Sequence, residues 1–241
     1  MFSKHKILLS LILCSCLFVS GFAHATWAGR FLIGAEGGLA YRDADLNYDI
    51  LHPVPNRSTH LIRPNNDTGF MAGILGGYEL TCNDYFGSLE LHAHWEDFGD
   101  AHTFFYNDVL TNGYAGSATY ERGAVFGLST RLGYHLTPWM GAYIRLGAET
   151  SRDKIIFQST RVVPAGPVIN LHHSEQVFRF LGGFGFQWPV LKQATVRLEY
   201  NYASRVKVST SGFASDNLIF YSAHVRPLQH GIKAAFVWYF G

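Results

Sequence analysis

Residues 176–188 read QVFRFLGGFGFQW, and after five intervening residues, residues 194–203 read ATVRLEYNYA. In both stretches apolar side chains alternate with polar or small ones, which is the period of a β-strand and not of a helix. Phe178 and Phe180 fall on one face of the first stretch, and Arg179 falls on the other. Two such stretches joined by a short turn predict an antiparallel pair of strands.

Six further stretches alternate in the same way: residues 30–41, 69–80, 85–96, 123–136, 140–149 and 230–240. The connections alternate in length, with short turns at 81–84, 137–139 and 189–193 and long loops at 42–68, 97–122, 151–175 and 204–229. Short turns at one rim and long loops at the other are typical of an up-and-down barrel in the bacterial outer membrane. The pattern predicts an all-β fold, an eight-stranded antiparallel transmembrane β-barrel with four long extracellular loops.

The composition limits the class of protein. The chain has 241 residues, a formal net charge of +1, 15% charged and 15% aromatic residues. These values exclude an intrinsically disordered chain and a polycationic nucleic-acid binder, so we expect no nucleic-acid partner.

The first 25 residues have the features of an export signal. Lys4 and Lys6 precede an apolar run at residues 7–18, and the small residues around Ala25 predict cleavage after it. The barrel domain is then residues 26–241. A retained membrane anchor and lipidation at Cys16 are the alternatives. Beyond this segment no stretch has 18 consecutive apolar residues, so if the chain is in a membrane, it crosses it as strands.

Alternation creates two faces, and the charges indicate which one points inward. Lipid cannot solvate a charge, and a small closed barrel must pair the charges that it encloses. Six acids and five bases share the polar faces of the predicted strands and form the predicted lumen charge network: Glu36, Glu79, Glu90, Glu96, Glu149 and Glu199 with Arg131, Arg145, Arg179, Arg197 and Lys233. The apolar faces carry aromatic residues near the strand ends, as interfacial girdles do.

The turns predict which residues face each other inside the barrel. If Trp188 faces Ala194 and Leu80 faces Tyr85, small residues lie opposite large ones, in the pairs Gly185–Arg197, Gly183–Glu199, Gly77–Ser88 and Gly73–His92.

A third turn brings two like charges together. If Leu136 faces Met140, Arg131 lies opposite Arg145. Because two enclosed arginines repel each other, carboxylates must lie beside them, and Glu90 and Glu36 are the candidates.

The signal segment, the eight alternating strands, the four long loops and the aromatic final strand FVWYF at residues 236–240 resemble the small outer-membrane barrels of Gram-negative bacteria. These include the OmpA transmembrane domain, OmpX, OmpW and the opacity-type surface proteins. The resemblance implies a surface-exposed structural or adhesin-like protein in contact with outer-membrane lipid and lipopolysaccharide. It also implies a host or envelope ligand at the loops.

Two other functions stay open. One is a narrow OmpW-like channel for small or apolar solutes. The other is a lipid-modifying enzyme of the outer membrane. Eight strands leave an interior just wide enough for side chains, which favours a closed lumen over a pore.

Three groups of residues suggest a metal, catalytic or phosphate-binding site, and each also has a purely structural interpretation. His92 and His94 lie between Glu90 and Glu96 on one strand face, which suits either zinc or a hydrogen-bonded lumen network. The run HHSE at residues 172–175 invites a hydrolase interpretation, although adjacent residues cannot by themselves form a catalytic triad.

The long loops contain basic residues that suit either lipopolysaccharide phosphates or plain solvation: Arg57, Arg63, Arg152, Lys154 and Arg161. We therefore expect no catalytic residue, cofactor or metal site.

Overall fold

The computed structural model describes residues 27–52, 57–64, 66–98, 102–107, 113–163, 165–213 and 219–241. The predicted cleavage site at Ala25 lies outside these residues. The described chain forms thirteen strands: β1 (Ala28–Asp43), β2 (Asp45–His52), β3 (Arg57–Pro64), β4 (Asp67–Cys82), β5 (Tyr85–Asp97), β6 (His102–Asn107), β7 (Gly113–Thr137), β8 (Met140–Val163), β9 (Ala165–Leu191), β10 (Ala194–Ala203), β11 (Val208–Phe213), β12 (Phe220–Val225) and β13 (Leu228–Phe240).

Eight of these strands close into a ring in the order β5-β4-β1-β13-β10-β9-β8-β7, and β7 pairs again with β5. All pairings in the ring are antiparallel. The prediction of an eight-stranded antiparallel barrel is confirmed. A ring has no open edge, so its backbone groups are satisfied internally, which lipid requires.

The three short turns lie at one rim, which we call the turn end, and the opposite rim is the loop end. The turn between β4 and β5 has two residues, Asn83 and Asp84, and Asn83 has a φ of 53°. Asparagine adopts this left-handed conformation more easily than most residues, which suits a two-residue hairpin turn.

Three strands run far beyond their predicted ends. β7 begins at Gly113 and not at residue 123, β8 continues to Val163, and β9 begins at Ala165. The prediction of a loop at residues 151–175 is therefore wrong, because this segment is the upper part of the β8–β9 hairpin. The apolar stretch at residues 162–171, which suited either longer strands or a partner contact, belongs to the hairpin.

Above the loop end, the other predicted loops also contain strands. A four-stranded sheet forms in the order β11-β12-β2-β3, and β6 pairs with β7. With the upper parts of β7, β8 and β9 these strands enclose an apolar core that includes Tyr48, Ile50, Phe157, Ile169 and Tyr221. We call this unit the loop-end domain. Its strands alternate, with the apolar face turned to the core.

The faces of the ring agree with the prediction. Large apolar side chains lie exposed on its outer wall, for example Phe70 at 73% and Phe180 at 71%. The inner wall holds buried charges, with Arg131 and Arg197 at 0% exposure. A water-soluble barrel would have the opposite arrangement, so this wall is built to contact lipid. No helix in the described part of the chain is both long and apolar enough to span a membrane.

Candidate functional site: the charge-filled lumen

The predicted charges of the lumen form three clusters stacked along the barrel axis. The first, nearest the turn end, contains Glu79, Glu90, Arg131 and Arg197. Arg131 donates to Glu90 through Nη2 at 2.5 Å and to Glu79 at 3.3 Å. Arg197 donates to Glu90 at 3.0 Å, and Arg30 at the rim donates to Glu79 at 2.7 Å. Two acids thus serve three bases, all four members of the cluster itself being 1% exposed or less.

The second cluster lies in the middle of the barrel. Arg145 donates to Glu199 at 2.8 Å, and Lys233 lies 2.5 Å from Glu36 and 3.4 Å from Glu199. Tyr143 donates its hydroxyl to Glu199 at 2.8 Å. Each charge has an opposite partner, which the low-dielectric interior requires.

The third cluster lies near the loop end. Arg122 donates to Glu149 at 2.5 Å and to Glu96 at 3.2 Å, and Gln229 donates to Glu96 at 2.5 Å. Arg179 pairs with Asp153, whose carboxylate also accepts a hydrogen bond from the Tyr120 hydroxyl. Every predicted network residue therefore lies inside the ring.

Several members of these clusters are not in the predicted charge network: Tyr120, Arg122, Tyr143, Asp153, Gln187, which accepts a hydrogen bond from Arg131 at 3.4 Å, and Tyr239, which accepts one from Arg197 at 3.1 Å. Tyr143, Gln187 and Tyr239 lie on the predicted polar faces but carry no charge. Arg122 falls at the end of the predicted loop 97–122, because the β7–β8 register shifts between Arg122 and Val125. This irregularity inverts the alternation, so that even-numbered residues point inward above it and odd-numbered ones below it. Asp153 lay in a segment assigned to a loop, although it continues the inward face of Glu149 and Ser151.

Two of the three predicted registers are wrong by two residues. Cys82 faces Tyr85, so Gly77 lies opposite Glu90 and Gly73 opposite His94. Likewise Val196, and not Ala194, faces Trp188, so the true pairs are Gly185–Glu199 and Gly183–Asn201. The turns are shorter than predicted, and a shift by two keeps each face unchanged.

In the corrected registers, small residues still lie opposite large ones, as predicted, although the individual partners differ. A Cβ at Gly77 would lie 2.2 Å from the Leu89 carbonyl oxygen and 3.0 Å from Glu90. Only glycine leaves room there for the Glu90 side chain to turn into the lumen.

The third register is as expected, because Arg131 lies opposite Arg145. The two guanidinium groups turn to different carboxylates, Arg131 to Glu90 and Arg145 to Glu199. Glu90 has its predicted place. Glu36 lies in the same cluster as Arg145, but its ion pair is with Lys233, which also contacts Glu199.

His92 and His94 have polar partners in the lumen. Their rings stack with centroids 5.8 Å apart, Arg145 lies 3.0 Å from His92 Nδ1, and His94 Nε2 lies 3.0 Å from Glu96. The Glu90 side chain points away from the two histidines and binds Arg131 and Arg197 in the first cluster. Within the residues that the structure describes, no group of three or more His, Cys, Asp or Glu side chains is arranged to hold a metal ion. This geometry supports the interpretation as a hydrogen-bonded network.

Beside these histidines lies a small cavity of about 20 Å³, lined among others by His92, His94, Asn201 and Lys233. A volume of this size holds about one water molecule. The middle of the barrel is thus filled by side chains.

The HHSE run lies on β9, where successive side chains point to opposite faces. His173 lies 3.7 Å from Glu175, while Ser174 accepts a hydrogen bond from Arg152 at 3.0 Å. The run therefore does not bring a serine, a histidine and a carboxylate together.

The basic residues of the predicted long loops are divided between two sheets. Arg57 and Arg63 belong to β3, and Arg152, Lys154 and Arg161 belong to β8. The side chains of Arg57 and Arg63 lie outside the described part of the structure.

Comparisons with known proteins agree with this architecture. The family model described as "Outer membrane protein beta-barrel domain" matches residues 9–240. A comparison with curated protein sequences finds no match.

Among solved structures, the chain is similar to the outer membrane protein OprG from Pseudomonas aeruginosa, at 15% identity and a TM-score of 0.43, covering 88% of this chain and 96% of OprG. The outer membrane protease OmpT from Escherichia coli has 11% identity and a TM-score of 0.43, covering 87% and 97%. Ail, the attachment invasion locus protein of Yersinia pestis, was solved with the heparin analogue sucrose octasulfate; it has 12% identity and a TM-score of 0.30, covering 83% and 98%.

The family match spans nearly the whole chain, and the outer wall and the closed ring suit a lipid bilayer. In barrels of this kind the longer loops lie at the extracellular end and the short turns at the periplasmic end. The chain belongs to the outer-membrane protein β-barrel family and resides in the bacterial outer membrane.

Proposed function

We propose that this protein is a surface-exposed structural or interaction protein. Its barrel acts as a closed membrane anchor, and its loop-end domain carries the binding surface. The observation that carries this proposal is the filled lumen, with three stacked ion-pair clusters and a residual cavity of about one water molecule. The proposal includes the expectation that the protein is not an enzyme.

The clusters support closure because they link distant strands across the barrel. Glu90 on β5 binds Arg197 on β10, and Arg145 on β8 binds Glu199 on β10, so each pair joins strands that are not neighbours in the ring. A solute would have to separate such pairs, and an unpaired buried charge is costly. Above the clusters, the apolar core of the loop-end domain adds a second layer over the lumen.

The loop-end domain supports a role in interaction because it presents an ordered outer surface. On the outer face of its four-stranded sheet, His60 lies 2.6 Å from Asp49, and Ser222 lies opposite Asp49 on the other side. At the far edge of this face Phe213 and Phe220 form an edge-to-face pair with centroids 5.3 Å apart. Polar groups beside exposed aromatic rings are typical of binding surfaces.

Planar-bilayer conductance of the refolded protein tests the anchor. The wild-type protein is expected to give no discrete conductance steps. The triple variant E90A/R131A/R197A, which removes the side chains of the first cluster, serves as the matched open control and is expected to conduct. A wild-type conductance equal to that of the variant would favour the narrow channel. Heat-modifiable migration on a denaturing gel checks that both proteins are folded.

Binding is tested with the whole protein in lipid nanodiscs, applied to surfaces coated with glycans and with host or envelope proteins. The variant D49A/H60A alters the outer face of the sheet, and Lys192→Ala, in a periplasmic turn, is the control. Binding that is lost in D49A/H60A and kept in Lys192→Ala is expected. No binding above that of empty nanodiscs, or equal binding by all three proteins, would contradict the proposal.

A further inference from the structure

A basic patch interrupts the outer wall of the barrel just above its apolar belt. It consists of Arg152 and Lys154 on β8 with His172 and Ser174 on β9, and we call it the β8 patch. Leu146, Arg152 and Lys154 all lie on the outward face of one strand. Only two residues, or about 7 Å, separate Arg152 from Thr150, whose neighbour on β9 is the lipid-facing Phe178 at 60% exposure. The patch therefore lies at the height of the lipid headgroups in the outer leaflet.

The patch surrounds a depression of about 400 Å³ that is also lined by Glu121 and Gly123 of β7. Gly123 belongs to the irregular part of β7, and a Cβ at this position would lie 3.0 Å from the carbonyl oxygen of Arg152. The missing side chain leaves the depression open on the β7 side. Its volume is sufficient for a phosphate with part of the sugar to which it is attached.

The two basic side chains of the patch, Arg152 and Lys154, can bind an anion in addition to their present partners. Arg152 donates through Nε to Ser174 at 3.0 Å, which orients the guanidinium plane while its two terminal nitrogens have no hydrogen-bond partner in the described residues. Lys154 lies 3.2 Å from Glu121, in a pair with side chains 36% and 53% exposed. Exposed pairs of this kind bind weakly, so Lys154 is free to turn to a phosphate. Arginine pairs with phosphate through two parallel hydrogen bonds, and lysine adds a point charge.

On three other strands of the ring, the outward apolar belt ends in an aromatic side chain and not in basic ones. Tyr41 ends the belt on β1, Trp95 on β5 and Tyr202 on β10, and each is at least 42% exposed. Aromatic side chains at this height serve any lipid, whereas paired cations select for phosphate. The β8–β9 side thus differs in chemistry from these three strands.

We propose that the β8 patch binds a phosphate group of lipopolysaccharide, the phosphorylated glycolipid of the outer leaflet. Arg152 and Lys154 contact the phosphate, Ser174 positions Arg152, and the acyl chains lie along the apolar belt below. This site is separate from the loop-end sheet, so the proposal does not depend on the proposed function.

The test is a titration of the whole refolded protein in detergent with lipopolysaccharide, compared with the same lipid after removal of its phosphates. The variant R152Q/K154Q is compared with K192Q/R205Q, which loses the same two charges elsewhere. Arg205 is exposed and pairs with Asp43, and Lys192 lies in a periplasmic turn. We expect R152Q/K154Q to bind phosphorylated lipopolysaccharide about tenfold more weakly than the wild type, and K192Q/R205Q to match the wild type.

The dephosphorylated lipid should bind all three proteins equally and weakly. Three results would overturn the proposal: unchanged affinity in R152Q/K154Q, an equal loss in K192Q/R205Q, or equal competition by phosphatidylglycerol vesicles. Heat-modifiable migration verifies that each variant is folded. If R152Q/K154Q does not fold, Lys154→Gln alone replaces it, with a loss of affinity as the expected result and unchanged affinity as the contradicting one.

Discussion

The lower and upper halves of β8 carry opposite chemistry on the same face. Between Met140 and Asp153 the inward side chains include Arg145 and Glu149, while Leu146 points outward at 55% exposure. Above Asp153 the inward side chains are Ile155 and Phe157, each 1% exposed, and the outward Gln158 is exposed. Inward and outward side chains alternate without a break through both halves, but the buried side chains change from charged to apolar.

This difference follows from what surrounds each half. Lipid surrounds the lower half and cannot solvate a charge, so the charges turn inward and pair with each other. Water surrounds the upper half, where burial of apolar surface stabilises the fold and polar groups remain outside. If the two halves differ in this way, substitutions in the lower half should destabilise the protein more than substitutions in the upper half.

The largest effect is expected from Glu90→Gln in the lower half. Glu90 binds both Arg131 and Arg197 and is 1% exposed, so its neutralisation leaves buried positive charge unpaired. The expected loss is about 3–5 kcal/mol in the free energy of unfolding, measured by urea unfolding in lipid vesicles. The double variant E90Q/R131M should recover part of this loss, and strictly additive effects would show that the pair is not coupled.

A somewhat smaller effect is expected from Leu146→Arg on the lipid face. Arginine near the middle of the bilayer costs about 2–4 kcal/mol in such barrels, so folding yield in vesicles should fall sharply. Thr130→Ser, at the directly opposite position on β7, is the control and should fold like the wild type. Equal yields for the two variants would refute the assignment of this face to lipid.

A smaller effect is expected from Ile155→Val in the upper half. Removal of one buried methylene group from the core of the loop-end domain should cost about 0.5–1.5 kcal/mol. Faster hydrogen exchange in the upper strands, with unchanged exchange in the ring, is the expected observation. Ile156→Val removes the same group from the outward face, where Ile156 is half-buried, and should have less effect. The reverse order would mean that no apolar core lies there.

The smallest effect is expected from Gln158→Arg. This position is on the same outward face of β8 as Leu146 but lies above the membrane, where the side chain is exposed to water. The change in unfolding free energy should stay within about 0.5 kcal/mol, as for most surface substitutions. A loss as large as that for Leu146→Arg would place this part of β8 inside the bilayer.

Several features of the fold could be predicted because they are local. Apolar and polar residues alternate with a period of two in each strand of the ring, and lipid accommodates strands only in a closed sheet. The eight strands and their inner faces therefore follow from the pattern. The two wrong registers kept the correct faces for the same reason. Turn geometry sets the register, and Asn83 with its left-handed φ closes a tighter turn than the composition indicated.

The loop-end domain could not be predicted in the same way. Its strands are short or, like the upper part of β9, mix polar residues with apolar ones, and the irregularity after Arg122 breaks the alternation of β7. Tyr48 and Phe157 lie more than 100 positions apart in the sequence, yet their rings pack at 5.3 Å between centroids. Their burial depends on this contact, which no local pattern contains.

The local alternation of the sequence is sufficient to predict an eight-stranded barrel with its charges inside, because lipid accommodates strands only in a closed sheet. Which acid pairs with which base, in contrast, depends on the three-dimensional fold. Glu36 binds Lys233 across 197 positions, and Glu90 binds Arg197 across 107. Such partners depend on register and barrel closure, which bring residues from distant strands to the same height inside the lumen.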